Sequence, residues 1–134
     1  MSHPVPRHLL PVPLAIAALL VACGSSYSTS SGNPKPAANV SIVTNAATKV
    51  FQAYAPDTFT VTLASGGKVT WRNDDIYSAH TATADVLADS TAGFHTGTLS
   101  TSDTATVVFS VAGTYAYHCS IHGTMMRGVV IVTP

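Results

Sequence analysis

A cysteine, a histidine and two methionines fall within eight residues near the end of this chain, and segments that alternate apolar and polar side chains flank them. The stretch reads Gly113-Thr-Tyr-Ala-Tyr-His-Cys-Ser-Ile-His-Gly-Thr-Met-Met-Arg-Gly128. Thr114 to His118 before it and Val129 to Val132 after it have the period of β-strands. The residues between them therefore form one tight loop. That loop brings Cys119, His122 and one of Met125 and Met126 to the same end of whatever sheet the strands build. A further imidazole, His80, lies 39 residues before Cys119.

The rest of the chain supplies strands for such a sheet. Only 9% of residues are charged and glutamate is absent. Val, Thr, Ala and Ser are abundant, which suits strands and turns better than amphipathic helices. Val40 to Thr44 reads as a short strand and Lys49 to Ala53 as an irregular one ended by Ala55-Pro56. Asp57 to Leu63 alternates cleanly, with Phe59, Val61 and Leu63 on one face. Ser65-Gly66-Gly67 is a turn, and Lys68 to Arg72 alternates again with Val69 and Trp71 inward. Ala79 to Thr83 is a short strand carrying His80. Residues 84–96 read as a loop with room for one helical turn. Gly97 to Leu99 and Thr104 to Ser110 are further strands. Seven to nine short strands with frequent turn signals and no useful helical period predict an all-β Greek-key β-sandwich.

The side-chain chemistry near the loop points to a metal. Copper alternates between Cu(I), which accepts soft and low-coordinate surroundings, and Cu(II), which prefers nitrogen. Two imidazoles, one thiolate and a weak axial thioether suit both states, so the geometry changes little when an electron moves. His80, Cys119 and His122 supply the first three. Zinc accepts nitrogen and sulfur donors too, but the thioether favours copper.

The front of the chain reads as an address. Arg7 gives a weak positive start, and Leu9 to Ala22 is an apolar run too short to span a membrane comfortably. It ends Leu20-Val21-Ala22-Cys23, which resembles the bacterial lipobox. That resemblance implies a signal peptide over residues 1–22, cleavage before Cys23, and a lipid on that cysteine. Lipid chains contribute ~0.8 kcal/mol per buried methylene, so several make a durable anchor. Residues 24–39 are rich in Ser, Gly and Pro and read as a flexible tether, reaching ~20–25 Å if they behave as coil. The two cysteines, Cys23 and Cys119, have separate uses, and no disulfide between them is expected. The folded part is expected over 40–134.

The ligand stretch resembles the corresponding loop of small cupredoxins in the plastocyanin, pseudoazurin and amicyanin group. The similarity extends over nearly all of residues 50–134. Ala55-Pro-Asp-Thr-Phe-Thr-Val61 resembles the family's early strand, and Gly67-Lys-Val-Thr-Trp-Arg-Asn-Asp74 its buried-tryptophan strand. Ala79-His80-Thr81 resembles the first-histidine segment, and Phe94-His-Thr-Gly-Thr-Leu99 the short strand after it. The resemblance implies a sandwich holding one type 1 copper ion, with His80, Cys119, His122 and one methionine as ligands. Met125 has the spacing of amicyanin-like members, and Met126 has the step that leads into the last strand; ligand spacing leans the reading to Met125. Thr81 stands where several members have asparagine, which implies that its hydroxyl ties to the Cys119–Ser120 backbone. Ile121 and Gly123 stand where many members have proline.

The function expected is a membrane-tethered carrier of single electrons between redox partner proteins. It would be monomeric and exported, held on the outer face of the bacterial cell membrane or in the periplasm. In the family the solvent edge of the second loop histidine, His122 in this chain, serves as the electron port. A second reading keeps the ligands but exchanges the metal: a copper-binding lipoprotein for copper delivery or resistance. An enzyme is not expected. Catalytic coppers need extra histidine pairs, and Ser120 stands where a His-Cys-His motif requires its second histidine. Net charge is zero, so no nucleic-acid partner is implied. His118, next to Cys119 in a strand, should point to the opposite face. His95 reads as solvated, Asp74-Asp75 as a turn, and Trp71, Phe59 and Phe109 as core.

Overall fold

The computed structural model describes residues 35–85 and 93–134. The signal segment, Cys23, most of the tether and residues 86–92 of the loop lie outside the described residues. The strands are β1 (Val40–Ile42), β2 (Tyr54–Ala55), β3 (Thr58–Thr62), β4 (Lys68–Asn73), β5 (Thr83–Ala84), β6 (Thr104–Val108), β7 (Gly113–Cys119) and β8 (Gly123–Thr133). They form two four-stranded sheets, ordered β2-β1-β4-β6 and β3-β8-β7-β5. The β1–β4 and β3–β8 pairs are parallel and the remaining pairs antiparallel. The architecture is the expected all-β sandwich.

Alternation decides what lies between the sheets. Val40 and Ile42 of β1, Val69 and Trp71 of β4, and Tyr117, Cys119, Met126 and Val130 of β7 and β8 are all fully buried. The Trp71 ring stacks on Phe94 at 5.3 Å and meets Tyr117 edge-on at 5.6 Å. Opposite Tyr117 in the β7–β8 ladder stands Gly128. A methyl group there would lie 2.3 Å from the Tyr117 ring. The aromatic ring therefore occupies the space that any larger residue would need.

Four sequence expectations change. Lys49 to Ala53 is not a strand. A 3₁₀ turn at Ala46–Thr48 closes with Lys49 N–H on the Ala46 carbonyl, and Val50 and Phe51 then point to solvent. His80 is not on a continuous strand; it makes one isolated bridge to Leu99, and β5 starts only at Thr83. The last strand begins at Gly123 rather than Val129, so both loop methionines belong to it. The end of the expected tether is pinned: Asn39 N–H donates to the Thr70 carbonyl, and Thr70 N–H to the Asn39 side chain, both at 2.8 Å.

Candidate metal centre

The β7–β8 hairpin carries most of the site. Cys119 pairs with Gly123, so only Ser120, Ile121 and His122 make the turn. Gly123 sits at φ 67°, the left-handed region that glycine enters without steric cost and proline cannot enter at all. The departure from the proline usual at that position in the family follows from this backbone.

The alternation of β8 separates the two methionines. Gly128, Val130 and Val132 face the core, so Met126 shares their side and is fully buried. Met125 shares the outer face with Arg127 and is 49% exposed. The lean toward Met125 is thus corrected: ligand spacing gave the wrong weight because it treated these residues as loop. Within a strand, neighbours point to opposite faces.

His80, Cys119 and His122 converge. The His80 and His122 Nδ1 atoms are 3.1 Å apart, and Cys119 Sγ is 3.8 Å from the first and 3.5 Å from the second. The point equidistant from these atoms is about 2 Å from each, close to the ~2.0–2.3 Å that nitrogen and thiolate donors take to zinc. Cys119 and His80 are fully buried and His122 partly so. No other cluster of three or more His, Cys or acidic side chains suited to a metal occurs among the described residues. The donor types and spacing fit a type 1 copper ion, with the buried Met126 on the same sheet face as Cys119.

Polar contacts fix this arrangement. Thr81 N–H points at Cys119 Sγ at 3.4 Å. The Thr81 hydroxyl accepts from Ser120 N–H at 2.9 Å and lies 3.1 Å from the Ser120 hydroxyl. Thr81 and Ser120, read from the sequence as neighbours of the ligands, are therefore in contact and tie the two ligand segments. Tyr54 donates to the Thr81 carbonyl at 2.6 Å. Desolvation, and then the neighbouring His80, push the His122 imidazole below its ordinary range, with Asp75 opposing. That favours the neutral ring a metal requires.

Behind His80 lies a buried network that sequence reasoning missed. Asp74 and Asp75 are not themselves a turn but lie just ahead of the bend at Ile76–Tyr77, and only Asp74 faces outward, paired with Arg72 and Lys35. Asp75 is 1% exposed, and its Oδ2 lies 2.9 Å from His80 Nε2. Asn73 is also buried; its amide donates to the Ser78 and Leu99 carbonyls. Four hydrogen bonds lower the Asp75 carboxyl against the desolvation that raises it, with His80 the first of them. The available signal was an Asn-x-Asp ahead of a ligand histidine, which is common in turns and carries little information alone. His118 points away from Cys119's side and pairs with Asp85. His95 is exposed.

The model of copper-binding proteins of the plastocyanin/azurin family matches residues 40–133. Among solved structures, a novel purple cupredoxin from Nitrosopumilus maritimus is 28% identical, with a TM-score of 0.60, covering 72% of this chain and all of that one. A reduced amicyanin variant is 29% identical, with a TM-score of 0.51, over 59% of this chain and 71% of that one. A copper-containing nitrite reductase from Thermus scotoductus SA-01 shares the fold at 24% identity and a TM-score of 0.54, over 60% of this chain and 20% of its own. No curated protein matches the chain in sequence.

Proposed function

We propose that this chain, which belongs to the plastocyanin/azurin family of copper-binding proteins, carries single electrons between redox partner proteins while a lipid on Cys23 tethers it to a membrane. The observation that carries the reading is the convergence of His80, Cys119 and His122. Bound copper supplies one-electron cycling between Cu(I) and Cu(II). His80, Cys119, His122 and Met126 would hold it.

The chain's own residues keep the site from rearranging. The hairpin fixes Cys119 and His122 by ladder pairing, and Thr81 clamps that hairpin to the His80 segment. Burial of His80, Cys119 and Met126 excludes water from the inner side. His122 is the ligand that reaches the surface, next to the half-exposed Ile121. An electron entering or leaving by the shortest route would pass that ring. The tether lets the domain turn this edge toward membrane-bound or soluble partners.

The test is the visible and EPR spectrum of the Cu(II)-loaded chain. An intense absorption from thiolate ligation with a narrow copper hyperfine splitting is the expected result. A colourless protein that keeps copper only when reduced would replace electron transfer with copper delivery. For the tether, Cys23→Ser should release the protein from the membrane fraction; retention of the variant there would remove the lipid anchor.

A further inference from the structure

The carboxylate behind His80 is built into the fold at every polar atom. Asp75 Oδ1 accepts from Tyr77 N–H at 3.0 Å. Oδ2 accepts from Ala46 N–H at 3.2 Å and meets His80 Nε2 at 2.9 Å. The Asp75 backbone N–H donates to Asn73 Oδ1 at 2.9 Å, and its carbonyl accepts from the Thr101 hydroxyl at 2.7 Å. So the 3₁₀ turn after β1 and the bend after β4 hold its carboxylate, and the turn before β6 holds its backbone carbonyl. The carboxylate meets two backbone N–H donors and one imidazole nitrogen. A carboxylate accepting from an imidazole Nε2–H leaves Nδ1 bare, and Nδ1 is the atom that faces His122 and Cys119.

We infer that Asp75 is a positioning residue for the copper site: it locks His80 in the Nε2–H tautomer and, as a buried fixed negative charge, lowers the reduction potential. The inference rests on His80 being a ligand, as in the reading above. Ligating histidines commonly donate their second N–H to a carboxylate, which fixes the ring and makes it more basic. A more electron-rich ring and a nearby anion both favour Cu(II) over Cu(I). The other imidazole, His122, lies nearer solvent, so the anion acts mainly through His80.

Asp75→Asn separates charge from shape. Its side-chain oxygen can stay on His80 and Ala46 while its amide faces the Tyr77 N–H and forfeits that one bond, so the bond to His80 survives and the charge does not. The variant should keep the thiolate absorption and show a higher reduction potential than the parent. Asp75→Leu removes the bond as well and should lose ~10–100-fold in copper affinity. A folded, copper-loaded Asp75→Asn protein with an unchanged potential would overturn the inference. The unmutated apoprotein gives a check independent of metal and of any variant's folding. Long-range proton–nitrogen NMR should show His80 as a single Nε2–H tautomer, and an Nδ1–H or mixed ring would equally overturn it. Absence of the thiolate absorption in the parent would instead count against the copper ligands themselves, while the tautomer measurement still judged Asp75.

Discussion

Two segments meet at the metal centre, and they are held by different physics. The hairpin from β7 to β8 is fixed by ladder hydrogen bonds and apolar packing: Tyr117 lies over Gly128, and Met126, Val130 and Val132 fill the interior. The segment from Asn73 to Thr81 has almost no ladder. One bridge to Leu99 and the side chains of Asn73, Asp75 and Thr81 hold it. The first half of the site is thus specified by volume and alternation, the second by donors and acceptors. A change that preserves volume should spare one and damage the other.

The largest expected effect comes from applying such a change to the polar segment. Asn73→Leu is similar in size but leaves the Ser78 carbonyl and the Asp75 N–H without their partner, while the Leu99 carbonyl keeps only the His80 N–H. Each buried unsatisfied group costs about 1–3 kcal/mol, so urea unfolding of the apoprotein should register a loss of about 3–4 kcal/mol. A loss under about 1 kcal/mol would mean that the segment is held by packing after all. Next comes the hairpin. Met126→Ala should cost about 2–4 kcal/mol through the cavity it leaves, while Met125→Ala, on the exposed face, should stay within about 0.5 kcal/mol. Met126→Leu keeps the volume and should cost less than about 1.5 kcal/mol, yet alter the copper spectrum; Met125→Leu should leave that spectrum unchanged. A spectral change confined to Met125 variants would reverse the assignment.

The smallest effect concerns the outward partner of the polar segment. Hydrogen bonding from Arg72 holds the Asp74 carboxyl well below the usual carboxylate range despite partial desolvation, with Lys35 and Ser41 adding to it. A depressed folded-state value means stability that is complete above the unfolded value of about 4 and is lost as pH falls below it. Apoprotein stability should therefore decline from about pH 5 downward, and Asp74→Asn should flatten that decline by about 1 kcal/mol, the scale of a near-surface pair. An identical acid limb in the variant would assign the decline to other carboxyls.

The same division explains what could be read from the sequence. Strands such as Lys68–Asn73 and Gly113–Cys119 announce themselves because alternation is the physical signal and these segments obey it. The meeting of Cys119 and His122 followed from a short loop between two strands. Met126 was legible too, since it shares parity with Val130 and Val132, but only once the strand is extended back to Gly123. Asp75 was not. Whether an acid beside a bend faces solvent or a histidine depends, beyond the local Tyr77 N–H, on Ala46 and Thr101, which lie elsewhere in the chain and leave no periodic trace. Val50 and Phe51 misled for the converse reason: apolar residues suggested a strand where the chain leaves a 3₁₀ turn and pairs with β1 only from Tyr54.

The Thr81–Ser120 contact that joins the His80 segment to the hairpin spans 39 residues, whereas β7 and β8 are adjacent in sequence. Closing the longer loop costs more chain entropy, and contacts of that range form slowly. Heat or denaturant therefore erodes the site from one side. The hairpin can keep Cys119, His122 and Met126 together after the sandwich has begun to open, and His80 is the donor that leaves.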